Sequence, residues 1–421
     1  MNPRYIAQQL IPILFEDDHF LVIPKPAGVE VAARRELPGT GLTDIIAAVR
    51  GRSETLDAVN RLGRWESGIL LLAKDREALR TLRGDLRSNR ILHTYLAVVV
   101  GRPAMRRTLI DASHGSSRGR RHGARDQDKR RTGIGPAHDK RRETRRPRRD
   151  AVIPPTEVRV LRSVATRSLV HVRTTSASAH VVRAQLRAAG LRLLDRRGRA
   201  PDPRRRPTGS DFLHLERLSW HHPHRRSDRV INSAPAPGFA AALKGETDVQ
   251  RSLTAALVRR LPLIIESGTD SFRLITGNVE DMEGLVAEKY GRFIVLQVRE
   301  KRLGAKRWVM EIARWYRRTL ASEAVYVKQI TRGETASDEA ALAALRSPEP
   351  LLGATLPQET QIHELGLNYL VRPYDGASVG LYLDHRDNRR RVRSLAKNKD
   401  VLNLFSYTCS FSVAAAAGGA A

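Results

Sequence analysis

The richest chemical potential lies near the end of the chain. There an apolar run, Val401 to Phe405, passes through Ser406-Tyr407-Thr408-Cys409 into the helix-like run Ser410-Phe411-Ser412-Val413-Ala414. A strand that turns tightly into a helix puts backbone N–H groups at the strand's carboxyl end, where open α/β sheets bind ligands. Asn403, Phe405, Tyr407, Thr408, Cys409 and Phe411 all fall within that stretch, and Asp384, Arg386, Asn388 and Arg389 lie just upstream in GASVGLYLDHRDNRRRV. From the residues alone, the upstream four read as the salt-bridged start of a helix. Cys409 is the single cysteine, which excludes an intramolecular disulfide framework and a Cys-rich zinc site. A lone small residue beside a strand reads as packing rather than as a nucleophile. His180, His214, His221 and His222 have no partner spacing that suits a metal, so no metal is expected.

The elements that must position these residues fall into blocks. Residues 1–240 read as one domain, whose first 101 residues alternate apolar runs (FLVIPKP, GILLLAK, TYLAVVVG) with helical stretches such as DREALRTLRGDL, a mixed α and β pattern. Within them, 102–150 holds 17 Arg plus Lys against 6 acidic residues and few apolar anchors, which predicts a disordered basic insertion. Strand runs resume at TEVRVLRS and SLVHVRTT, followed by the helix AHVVRAQLRAAG and a second Arg-rich loop, RRGRAPDPRRRP. Residues 241–268 read as a linker and helix, and 269–373 as a small α+β domain of ββαβ type with a hairpin-like HELGLNYLVRPY. Residues 374–421 read as the start of a Rossmann-like domain. The fold class is therefore α/β and α+β multidomain. The formal charge of +29, carried mostly by arginine, points to a polyanionic partner. No apolar run approaches the roughly 18 residues of a spanning helix, so a cytoplasmic, membrane-free setting is expected. Oligomeric state is not legible.

Four blocks of the first half, FEDDHFLVIPKPAGV, VNRLGRWESGILLLAKD, HTYLAVVVG and FLHLERLSWHHP, resemble in order and spacing the RluA-type pseudouridine synthase family. That resemblance implies a carboxylate that attacks a uridine flipped out of its RNA stack. The family pattern R-L-D-x-x-T-S-G reads here Arg61-Leu62-Gly63-Arg64-Trp65-Glu66-Ser67-Gly68, so glycine stands at the nucleophile's position. Glu66, three residues on, brings a carboxyl group near but from another anchor, and no activity is expected of it. The resemblance places Tyr95 where a target base packs and Arg61 beside the missing acid. The family's G-R-T-H-Q-I-R appears as Ala177-Ser178-Ala179-His180-Val181-Val182-Arg183, which keeps the last arginine and loses the first. The module is thus expected to be degenerate.

Residues 270–421 resemble the RlmI-like class I methyltransferases that use S-adenosylmethionine (SAM) to modify ribosomal RNA. The resemblance runs through FRLITGNVEDMEGLVAEKYG, GASVGLYLDHRDNRRRV and VLNLFSYTCSFSVAAAAGGA. It implies SAM as cofactor, its amino-acid moiety at the 401–411 turn, and cofactor or RNA contacts around Asp384 and Arg386. Cys409 and Ser410 replace two glycines of the family's turn; a left-handed backbone at either would cost about 1 kcal/mol. The family's ribose-binding acid and methyl-transfer residues lie beyond the matched blocks, so the sequence is expected to be the front of a longer protein. The expected function is SAM-dependent methylation of RNA, ribosomal RNA by the resemblance, with the degenerate first domain gripping RNA. The alternatives are a pseudouridine synthase acting through Glu66 and a non-catalytic RNA-binding protein.

Overall fold

The computed structural model describes residues 3–33, 39–51, 55–110, 154–176, 178–195, 212–246, 248–266, 268–299, 306–330, 347–376 and 378–421. The expected basic insertion from 111 onward, the Arg-rich loop 196–207 and Ala177 lie outside these residues.

In the first half, helix α1 (Pro3–Leu10) precedes β1 (Phe15–Glu16) and β2 (Phe20–Lys25), then α2 (Leu42–Arg50), β3 (Asp57–Ala58), β4 (Ser67–Ala73) and α3 (Arg76–Arg87). There follow β5 (Leu92–Val100), β6 (Arg107–Ile110), β7 (Thr156–Val164), β8 (Arg167–Thr174), α4 (Ala179–Ala188), β9 (Arg192–Leu193), β10 (Leu213–His222) and β11 (Ser227–Asn232). All eleven strands join one sheet with the main order β1-β2-β4-β10-β5-β8-β7-β6, antiparallel except where β10 runs parallel to β4. Strand β4 is buried at every residue, which explains its unbroken SGILLLA rather than an alternating pattern. One face packs on α3 and α4 through Leu71, Leu82, Tyr95, Val172 and Val182. Helix α3 starts cleanly because the Asp75 carboxylate accepts the Ala78 N–H at 2.7 Å.

The second half opens with α5 (Phe239–Lys244) and α6 (Gln250–Ile265), then β12 (Phe272–Ile275), β13 (Leu285–Tyr290), β14 (Phe293–Arg299), α7 (Lys306–Thr319), β15 (Ala324–Ile330) and β16 (Leu352–Gly353). These strands form a sheet in chain order, β14 and β15 parallel across the α7 crossover. The expected ββαβ unit is β13-β14-α7-β15, with β12 and β16 added at its edges. A hairpin, β17 (Thr360–Glu364) and β18 (Leu367–Val371), leads to α8 (Arg386–Leu395) and α9 (Ser410–Ala417).

Helix α6, read from the sequence as part of a linker, is buried nearly all round: Leu253, Ala256, Leu257, Val258 and Leu261 are each 0% exposed. It touches α1 and α2 on one side and β12 and α7 on the other. A single cluster consequently runs from Leu21, Ile23, Leu70 and Leu72 of the first sheet through α6 to Leu274, Leu296 and Ile312.

The expected strand Val401–Phe405 does not form: no described strand lies alongside to pair with it, and an unpaired strand leaves its backbone groups unmet. Leu402, Leu404 and Phe405 are instead solvent-exposed, at 83%, 69% and 102%. No helix of the described residues is long and apolar enough to cross a membrane.

Because α6 belongs to both cores, Leu253→Ala should cost about 2–5 kcal/mol. Hydrogen exchange should show amides of β4 and β14 losing protection together; loss confined to one sheet would contradict a shared core.

Candidate functional site

The first candidate site is the loop 61–66 that feeds β4. Arg61 bridges to Ser178 at the start of α4. That pairing brings Arg183, one turn along α4, to Glu66, whose carboxylate it binds in an ion pair. The other Glu66 oxygen accepts the Gly63 N–H at 2.8 Å. A Cβ placed on Gly63 would stand 3.5 Å from the Glu66 carboxyl carbon. The space in front of Gly63 is therefore already filled by a carboxylate, which reaches it from position 66. The Glu66 side chain is only 2% exposed.

Three further groups hold this loop. Lys25, which sequence reasoning passed over inside the apolar FLVIPKP, is fully buried and its ammonium donates to the carbonyls of Pro26, Arg64 and Glu66 at 3.0, 3.1 and 2.7 Å. Burial pushes its pKa down to about 7, opposed by the Glu66 carboxylate. From α6, Arg251 donates to the Trp65 carbonyl at 2.7 Å and Arg259 to the Gly28 carbonyl at 2.9 Å. Gly28 has φ +90°, and a Cβ there would come within 2.8 Å of the Ala255 side chain, so only glycine admits this close approach of α6. Between loop and helix, Trp65, Arg251 and Glu280 line a cavity of about 20 Å³, room for one water.

Tyr95 is 1% exposed beneath this loop, and burial, reinforced by Glu66, raises its hydroxyl pKa well above the usual tyrosine value. Its ring lies parallel to that of His93, with centroids 6.1 Å apart. His214 hydrogen-bonds Ser67 Oγ at 3.0 Å and is pushed down to about 4 by burial, which keeps it neutral near pH 7. His222 pairs with Asp17 at 2.8 Å, the exposed His221 with Asp228 at 3.0 Å, and His180 is exposed on α4.

The second candidate site gathers two segments far apart from the first. Thr408 Oγ donates to the Gly380 carbonyl at 2.6 Å. The Tyr382 and Tyr407 rings lie 5.3 Å apart and those of His385 and Phe411 5.7 Å apart. Asn403 donates to Ser412 Oγ at 2.9 Å. Cys409 has φ +59° and caps α9 without a side-chain hydrogen bond, leaving the amides of the first turn open. Phe405 and Tyr407 also have positive φ, 58° and 53°.

Arg389 is 1% exposed and forms a bidentate pair with the equally buried Glu364 of β17, at 2.7 and 2.8 Å. The salt-bridged reading of the helix start thus describes this arginine. Its Nη1 has no hydrogen-bond partner, and the guanidinium lies 6.0 Å from the Phe411 ring centre. Asp384 turns the other way, 4.0 Å from Arg273 of β12, while Arg386 pairs with its neighbour Asp387 and Asn388 with His385. The 380–389 and 403–412 segments are therefore brought together through Thr408, Tyr407 and Phe411, with Asn403 bonded to Ser412 and Cys409 capping α9, while the side chains of Asp384, Arg386 and Asn388 take partners of their own and Phe405 faces solvent.

Residues 19–188 match the family model of RNA pseudouridylate synthase, and residues 345–421 that of S-adenosylmethionine-dependent methyltransferase. Ribosomal RNA large subunit methyltransferase I of Escherichia coli O127:H6 is 35% identical over 161 residues, 37% of this chain and 37% of that protein. Ribosomal RNA large subunit methyltransferase of Deinococcus radiodurans is 30% identical over 172 residues, 40% of this chain and 41% of that protein. The chain thus spans less than half the length of these curated relatives. Among solved structures, human RNA pseudouridylate synthase domain containing 4 is similar at 19% identity and a TM-score of 0.39, over 59% of this chain and 96% of that one.

Two outcomes follow from the site geometry. Unfolded Lys25 keeps its proton to about 10.5 and folded Lys25 only to about 7, so between these values the unfolded chain binds the extra proton and stability rises with pH. Lys25→Met should be destabilised at both pH values, and its deficit in urea melts should grow by about 2 kcal/mol from pH 7 to pH 9; a constant deficit would refute the burial effect. Cys409→Gly should relieve about 1 kcal/mol of left-handed strain and slow exchange of the α9 amides roughly fivefold.

Proposed function

We propose that a chain joining an RNA pseudouridylate synthase-type domain to a SAM-dependent methyltransferase-type segment works in RNA methylation, with ribosomal RNA as the substrate class. In this reading the first domain is a binding platform. The observation that carries it is the Thr408–Gly380 bond, which draws GASVGLYLDHR and NLFSYTCSF into one place, as a cofactor site built from both requires.

The residues present fit the amino-acid end of SAM. The open amides at α9 and the partnerless, buried Arg389 Nη1 are donors suited to a carboxylate. The small side chains of Ser406, Cys409 and Ser410 leave the turn accessible. When bound, SAM supplies an electrophilic methyl group. This chain's own contribution is to hold the carboxylate by α9 and Arg389, and to position the turn through Thr408 and Asn403.

One observation favours a second reading, pseudouridine synthesis through Glu66: its carboxylate lies in front of Gly63 and meets Arg183. Against it stands the burial of that carboxylate, both of whose oxygens are already engaged.

In an assay with tritiated SAM and ribosomal RNA, the protein carrying the whole methyltransferase domain should label the RNA, and Arg389→Met should weaken SAM binding about tenfold, a loss of one charge-assisted hydrogen bond. RNA left unlabelled by that protein would overturn the methylation reading. C5-tritiated uridine RNA should release no tritium; release that Glu66→Ala abolishes would establish the second reading instead.

A further inference from the structure

Helix α7 is amphipathic: Val309, Ile312, Ala313 and Tyr316 are buried, while Arg314, Arg317 and Arg318 stand exposed on its last turns. Past the helix end the chain turns through Ala321, at φ +48°, and Ser322 before entering β15. This corner is concave. The three arginines, Ser322, Glu323 and Leu352 of β16 line an open cavity of about 600 Å³.

Its electrostatics are one-sided. No ion pair or hydrogen bond engages the side chains of Arg314, Arg317 or Arg318 among the described residues, and Glu323, the acid on the rim, pairs with Arg292 at 3.2 Å. Cations on a last helical turn offset the helix dipole, and that accounts for part of their presence. It does not account for Ser322, which is 5% exposed and whose hydroxyl has no hydrogen-bond partner. A buried hydroxyl without a partner costs free energy, so it favours a ligand that supplies an acceptor.

We propose that this corner is a phosphate-binding site that takes a phosphodiester of the RNA strand, with the three guanidinium groups around the phosphate and the Ser322 hydroxyl donating to one of its oxygens. Guanidinium groups suit this ligand because they present paired donors to phosphate oxygens. The site rests on the RNA partner of the reading above but not on methyl transfer, so a protein that binds RNA and methylates nothing would still use it.

The test is RNA binding by the full chain, followed by fluorescence anisotropy across a salt series. Arg317→Gln with Arg318→Gln should weaken binding roughly tenfold or more and lower the salt slope by about 0.7 to 0.9, one phosphate contact's worth. Arg299→Gln at the end of β14 with Arg307→Gln at the start of α7 removes equal charge from exposed positions at the opposite end of that helix, outside the first domain, and should leave the slope unchanged. Ser322→Ala should weaken binding severalfold without lowering the melting temperature. If both arginine pairs shift the slope equally, or neither does while inorganic phosphate also fails to raise the melting temperature through Arg317 and Arg318, the site is overturned. A phosphate-induced rise in melting temperature lost with Arg317 and Arg318, but no change in RNA binding, would keep the phosphate site and assign it to a free phosphate ester.

Discussion

The burial of α6 between two sheets is the constraint on which the rest of the structure depends. A helix covered on one side needs a stripe of apolar residues; α6 spends Leu253, Ala256, Leu257, Val258 and Leu261 on more than one neighbour, and its remaining polar side chains must find partners at the interface. Arg251 and Arg259 do so on the carbonyls of Trp65 and Gly28, while Arg260 binds Glu280 at 2.8 Å. The same packing that joins the two halves therefore also stiffens the 61–66 loop. Gly28 makes the arrangement exacting, because any side chain there would collide with Ala255.

With Gly63 in place of an acid, the charge balance around Arg183 would leave a partly buried guanidinium unmatched, and such an omission is costly. Glu66 restores the balance from three residues away, and the Gly63 N–H secures its second oxygen. What the substitution changes is access rather than charge. A nucleophile has to present a lone pair to substrate, whereas this carboxylate is buried and bonded at both oxygens, and Lys25 anchors its main-chain carbonyl.

Much of this was legible beforehand because it depends on local pattern. The unbroken SGILLLA announces a strand buried on both faces, and the periodicity of α3, α4 and α7 announces their buried sides. What escaped depends on partners distant in the chain. Lys25 looks like a strand end until the carbonyls of residues 64 and 66 arrive over it, and α6 looks like a linker because its arginines interrupt the apolar pattern that its burial requires. The apolar run at Val401 failed as a strand for the same reason in reverse: its composition is right, but a strand is a relation between two segments.

The 403–411 turn shows how packing can hold a backbone that composition disfavours. Phe405, Tyr407 and Cys409 alternate in left-handed geometry, a conformation that side chains resist, and three such residues in five positions need compensation. The compensation is visible in bonds on either side: Thr408 to Gly380, Asn403 to Ser412, and the Tyr407 ring on Tyr382. Each ties the turn to 380–389 or to α9. Where strain is concentrated at one turn and offset by specific contacts, those contacts fix the path of the chain. Here they hold Thr408 on Gly380 and Tyr407 on Tyr382, and set the Phe411 ring 6.0 Å from the Arg389 guanidinium.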